Sequence, residues 1–139
     1  MKTLMLLGLC GCVLLIDGPA PAQEPDVDCS KAETQVEMTY CSEQEFNEAD
    51  KRLNTQYQRV RKAMKTWDAD ADLPASEGAD AALVRAQRAW IAYRDAQCEF
   101  YGFQGHGGSI EPQLIYDCQR DLTVKRTTEI KEQADAMSN

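Results

Sequence analysis

Apolar positions along most of this chain recur with the period of a helix. Between residues 42 and 67, Leu53, Tyr57, Val60, Met64 and Trp67 follow one another at spacings of four and three, which sets them on one helical face. Leu83, Ala86, Trp90 and Tyr93 repeat at i, i+3, i+7 and i+10, and Ile115, Cys118 and Leu122 mark a third inner face. No segment alternates with period two, and the β-branched residues are scattered. The pattern predicts helices and no strands.

Start and stop signals divide the pattern further. Ser30 with Glu33 forms a capping-box pair and predicts a short helix over about Lys31 to Tyr40. Ser42 with Glu45 repeats the pair and opens the long helix carrying the first stripe. Pro74 and Gly78 make Asp68 to Gly78 a solvated acidic loop. Asp68, Asp70 and Asp72 alternate like the start of a calcium-binding loop, yet Leu73 stands where the turn glycine belongs and Ala79 where the bidentate glutamate belongs. Ser76 is the expected cap of the next helix, which runs to about Glu99. Gly102, Gly105, Gly107 and Gly108 then form a loop, and Ser109 is placed to cap a last helix that tolerates Pro112 in its first turn. The expected fold class is all-α: a small antiparallel bundle of three longer helices plus one short N-terminal helix.

The N-terminus has a different character. Lys2, the short apolar run Leu4 to Ile16, and Ala20-Pro21-Ala22 together read as a secretory signal cleaved near Ala22. The run is too short for a membrane-spanning helix, which needs about 20 residues. Leu9-Cys10-Gly11-Cys12 faintly resembles the site of lipid attachment at Cys12, but the apolar run continues past it, so a protein without a lipid anchor is the default expectation. The domain plan is a signal at 1–22, a disordered lead-in at 23–28, a helical domain at 29–135 and a tail at 136–139. The expected location is periplasmic or secreted.

Export changes the reading of the cysteines. Cys29, Cys41, Cys98 and Cys118 remain after processing, and an even number in an exported chain implies two disulfides. Of the three possible connectivities, local pairing around the first helix and around the glycine loop is the simplest. Cys41 with Cys98 and Cys29 with Cys118 is the competing pattern. Neither the cysteine spacing nor the lone His106 suits zinc, so no metal and no cofactor are expected. The processed chain carries 14 basic and 22 acidic residues, a net charge of −8. Nucleic acid and anionic lipid are thereby poor expected partners and a basic protein a good one, although net negative charge also simply favours solubility.

Several polar residues fall beside the apolar stripes: Asp50 and Asn54 on the first long helix, Gln87, Arg94 and Asp95 on the next. A charge near a core needs a partner, so these five are expected to form a structural polar network in which Asp50 pairs with Arg94 across helices. An acid–base role for Asp50 and Asp95 is a weaker alternative, because such chemistry needs two carboxylates facing one cleft.

With these residues in view, the chain resembles the LprI-type lysozyme-inhibitor family of small exported bacterial proteins. The resemblance rests on Cys29-Ser30-Lys31-Ala32, Thr34-Gln35-Val36-Glu37-Met38 running to Cys41, and Ala49-Asp50 with Leu53-Asn54 and Tyr57. It continues through Ala86-Gln87-Arg88-Ala89-Trp90, Tyr93-Arg94-Asp95 with Cys98, Gly107-Gly108-Ser109, and Cys118 with Thr123 and Arg126. It implies binding of basic animal-type lysozyme and no catalysis, and it supplies no set of inhibitory residues.

The candidate contact segment is therefore chosen on chemistry. Phe100 to Ile110 offers Tyr101 and Phe103 for contact area and His106 and Ser109 as hydrogen-bond donors toward carboxylates in a lysozyme cleft. The plainer reading of this segment is a helix connection whose glycines let the chain reverse. A non-catalytic adaptor that binds another envelope protein is the second functional expectation. No nucleophile, metal or phosphate-cradling motif points to an enzyme.

Overall fold

The computed structural model describes residues 27–137. The expected signal at 1–22 and most of the lead-in lie outside the described residues. A 3₁₀ turn at Cys29–Lys31 leads into helix α1 (Gln35–Asp70), followed by α2 (Ala79–Gly102), a second 3₁₀ turn at Phe103–Gly105, and α3 (Glu111–Met137). The described residues contain no strand. The fold is an all-α bundle of three long helices.

The expected short helix at 31–40 and the separate start at Ser42 are not what forms. The expected short helix is reduced to the 3₁₀ turn at its start, and one unbroken 36-residue helix from Gln35 takes in the rest of it and the second helix. Its capping box is Thr34 with Glu37: Glu37 N–H donates to the Thr34 hydroxyl and the Glu37 carboxylate accepts from Thr34 N–H at 2.9 Å. Ser42 and Glu45 match the same signature but lie inside the helix. No proline or glycine stands between Gln35 and Asp70, so nothing stops propagation once the first turn is capped. Ser30 instead belongs to the 3₁₀ turn, where its hydroxyl donates to Asp28 at 2.7 Å.

The second helix boundary also differs. Ser76 does not cap α2. Gly78 holds the N-cap position, and the cap oxygens come from Asp68, near the end of α1, which accepts from Ala79 N–H at 2.6 Å and Asp80 N–H at 3.0 Å. Asp68 is buried and helical, where a solvated loop was expected. The connection is thus shorter than it reads in sequence, covering residues 71–78. α2 extends past Glu99 to Gly102, so part of the glycine segment is helical.

Consecutive helices run antiparallel, which makes α1 and α3 parallel neighbours. Gln35 donates to Gln113 at 2.7 Å between the starts of these two helices. Farther along, Leu53, Val60 and Met64 of α1 meet Ile130 and Ala134 of α3 in the buried core, with Tyr57, Leu83 and Trp90 packed at its edge. Trp67 and Tyr93 fall outside it, 39% and 56% exposed. Three helices enclose only a narrow seam, so the flanking positions of each apolar stripe stay wet. Ile115, Cys118 and Leu122 are half-buried, and α3 buries Thr123, Arg126, Ile130 and Ala134.

Candidate functional site

Both disulfides are at one end of the bundle. Cys29 joins Cys41 and Cys98 joins Cys118, the local pattern, with sequence separations of 12 and 20. Each staples the chain close to where α1 begins, α2 ends and α3 begins. Closing loops of this size contributes about 3 kcal/mol each in the chain-entropy account.

The turn between α2 and α3 is built on this rigid end. Gly107 has φ of +76°, a left-handed conformation that an L side chain resists. At Gly102 a Cβ would come within 2.6 Å of Ile115 Cγ1, so α3 packs on bare backbone there. His106 Nδ1 lies 3.0 Å from Glu111 Oε1, and Gly107 N–H donates to Glu111 Oε2 at 2.9 Å. These two hydrogen bonds hold the Glu111 carboxyl below the ordinary glutamate range. The His106 ring stacks on Phe103 with centroids 4.6 Å apart.

Of the four expected contact residues, Phe103 and His106 are brought together, while Tyr101 sits on the last turn of α2 and Ser109 in the turn that follows. All four are exposed. Phe100, Ile110 and Val36 were not among them, yet they stand at the same end, and Val36 and Phe100 are 81% and 74% exposed.

Charge sharpens this end further. From Gln35 to Asp50, α1 carries five acidic residues and no basic one; from Lys51 to Trp67 it carries six basic residues and no acidic one. The disulfide end gains Asp95, Glu99, Glu111, Asp117 and Asp121 from the other helices. Its basic residues are all committed to ion pairs: Lys31 with Asp28, Arg94 with Asp50 and Asp95, and Arg120 with Glu45, Asp117 and Asp121. The −8 of the whole chain thus conceals an acidic disulfide end and a basic second half of α1, beyond which the turn at 68–80 is again acidic, with Asp68, Asp70, Asp72, Glu77 and Asp80 and no basic residue. That switch is visible in the sequence, but a net charge summed over the chain hides it.

The polar residues between the two ends hold the helices together. Arg94, 8% exposed, donates from Nη1 to Asp50 at 3.2 Å and from Nε to Asp95 at 2.8 Å. Its guanidinium also lies over the rings of Phe46 and Trp90, at 5.1 and 5.3 Å. Asn54 donates to Asp50 at 2.8 Å, and buried Gln87 accepts from Arg126 at 3.2 Å. The Asp50 and Asp95 carboxylates share one guanidinium, which ties α1 to α2 and leaves the trio with one net negative charge. Among the described residues no group of three or more His, Cys, Asp and Glu is placed to hold a metal. No described helix is long and apolar enough to cross a membrane.

Comparison with known proteins gives the arrangement its context. An uncharacterized protein of Rhizobium meliloti (strain 1021) is 45% identical over 129 residues, covering 91% of this chain and 93% of that protein. No solved structure matches the chain. The family model described as lysozyme inhibitor LprI matches residues 28–130, from the residue before the first paired cysteine to the last core isoleucine, and the chain belongs to that family.

Proposed function

We propose that the protein is an exported lysozyme inhibitor that meets a basic lysozyme with its disulfide-stapled end. The family is one of lysozyme inhibitors. The observation that carries the reading is the coincidence at one end of acidic charge, two covalent staples and exposed Phe100, Tyr101 and Phe103. Acidic surface steers a cationic protein toward this end, because opposite charges raise the encounter rate and set orientation. Rigid aromatic side chains then supply contact area at little cost in conformational entropy. The disulfides keep that surface formed before the partner arrives, which reduces the ordering that binding must impose.

His106 and Ser109 are the proposed polar contacts with carboxylates of the lysozyme cleft. Phe103 and Glu111 hold His106 from two sides, so its ring is presented in one orientation. Periplasmic or secreted location and the absence of catalysis belong to the same proposal. An adaptor function would use the same fold but would not track lysozyme.

The test is a lysozyme turbidity assay with the oxidised protein at low and moderate salt. Dose-dependent inhibition that weakens as salt rises is expected. Tyr101→Ala, Phe103→Ala and His106→Ala should weaken it with the melting temperature held. Full inhibition by all three variants would move the contact away from this end, and no inhibition by the parent protein would leave the adaptor reading.

A further inference from the structure

The basic half of α1 forms a surface that the inhibitor reading does not use. Arg52, Arg59 and Lys62 lie at i, i+7 and i+10, along one outward face of the helix, with Thr55 and Thr66 between and beyond them. All three cations are exposed, and none has a carboxylate within 4.0 Å among the described residues. This sets them apart from Arg61, paired with Asp80 at 2.7 Å, and from the ion-paired arginines of the other end. Trp67, 39% exposed, stands at the margin between this face and the apolar stripe and borders the same shallow groove as Arg59, Lys62 and Thr66. The acidic groups facing the row stand at its margins: Glu48, bound to Lys51, before it; Asp70 after it; and Asp135 of α3 beside it, bound to Lys131 at 2.6 Å.

We infer that this face docks on the surface of an anionic phospholipid membrane. An α-helix spreads the three cations over about 15 Å along one outward face, so their long side chains reach a planar array of phosphates together. Trp67 follows about one turn beyond, and an indole with an apolar body and a polar edge favours the headgroup level. The negative net charge of the chain does not oppose this contact, because salt screens charges farther away than about 8 Å. The charge switch at Asp50 and Lys51 sets the posture. The basic half lies against the lipid, and the acidic disulfide end tilts away into water, where its aromatic residues stay free. A long flexible polyanion is less well served, since a chain extending beyond the row meets Glu48 at one end and Asp70 at the other.

The experiment is co-sedimentation of the protein with vesicles of phosphatidylglycerol and phosphatidylcholine, compared with vesicles of phosphatidylcholine alone. Binding to the anionic vesicles only, weakened by salt and reduced at least about tenfold in Arg52→Glu/Arg59→Glu/Lys62→Glu, is the expected result. Trp67→Phe should lose the blue shift of tryptophan fluorescence that accompanies binding, leaving Trp90 unmoved. Since these side chains are exposed, circular dichroism and the melting temperature should be unchanged, and lysozyme inhibition by the triple variant should persist. No binding to anionic vesicles at low salt overturns the inference. So does equal binding by the triple variant, equal binding to both kinds of vesicle, or retention by a soluble polyphosphate without any binding to vesicles. Loss of vesicle binding with inhibition intact separates this surface from the lysozyme contact.

Discussion

Asp68 caps the helix that follows its own: from the last turn of α1 its carboxylate accepts the N–H groups of Ala79 and Asp80 at the start of α2. An aspartate at a helix C-terminus is poorly placed with respect to its own helix dipole. The N-terminus of α2 reverses that, because free N–H groups and a positive dipole end converge on the same carboxylate. Gly78 is part of the arrangement, since a Cβ there would collide with the Asp68 carboxylate.

Asp68→Ala should therefore destabilise the protein by about 1–2 kcal/mol, the usual cost of a lost N-cap. Urea unfolding followed by circular dichroism reads this directly. Gly78→Ala should cost a comparable amount although it adds only a methyl group, and the double variant should cost less than the sum, since both changes break one contact. Strict additivity would show the two residues to be independent.

Arg94 is the cross-brace of the disulfide half, bonded to Asp50, Asp95 and Thr123 and layered between Phe46 and Trp90. Arg94→Ala should cost about 2–4 kcal/mol, below the upper range for buried pairs because both carboxylates keep contact with water. Arg94→Lys should recover little of this, since an ammonium can neither fork between two carboxylates nor stack as a plane. Chemical denaturation of the two variants side by side decides it.

The staples are expected to set most of the rigidity of the acidic end. Replacing Cys98 and Cys118 together by alanine should lower stability by about 3 kcal/mol, and replacing Cys29 and Cys41 by slightly less, following the lengths of the closed loops. The first pair carries a second penalty, because Cys98 is fully buried and its sulfur leaves a gap. Hydrogen exchange should show the loss confined to residues near Phe100 to Ile110 in that variant, with the core around Leu53 and Ile130 still protected.

Acid should loosen the molecule in a defined window. Arg61 holds Asp80 below the ordinary aspartate range, the Thr34 N–H and hydroxyl do the same for Glu37, and His106 with the Gly107 N–H does so for Glu111. A carboxylate whose pKa is depressed by folding adds stability above its unfolded pKa and loses it as pH falls through the folded one. Urea midpoints should therefore be level from neutral pH down to about 5 and fall toward pH 3. Asp80→Asn should flatten that fall, and an unchanged slope would remove the Arg61 pair from the account.

Much of the architecture was legible along the chain, and the misreadings have specific causes. The three long helices follow from the stripes through Leu53, Leu83 and Ile115. Ser42 and Glu45 match a cap inside α1, because a capping pair marks a helix start only where something has stopped the helix before it. The expected contact segment, Phe100 to Ile110, did not reach Val36 on α1, whose exposure depends on how the ends of three helices meet.

Helical periodicity, the switch from acidic to basic residues at Asp50 and Lys51, and the even number of cysteines after the expected signal were determined by the sequence alone, because each depends on residues a few positions apart. Packing decided the rest. Local disulfides were one of three possible pairings until α1 and α3 set Cys41 and Cys118 beside their partners. Asp68 became a cap only when the turn at 71–78 brought α2 back onto α1. Arg94 and Asp50, a pair the sequence already suggests, meet 44 positions apart, and packing adds the rings of Phe46 and Trp90 around the guanidinium. Such caps and ring contacts are made by the closing of the bundle, because they join groups whose spacing along the chain follows no local period.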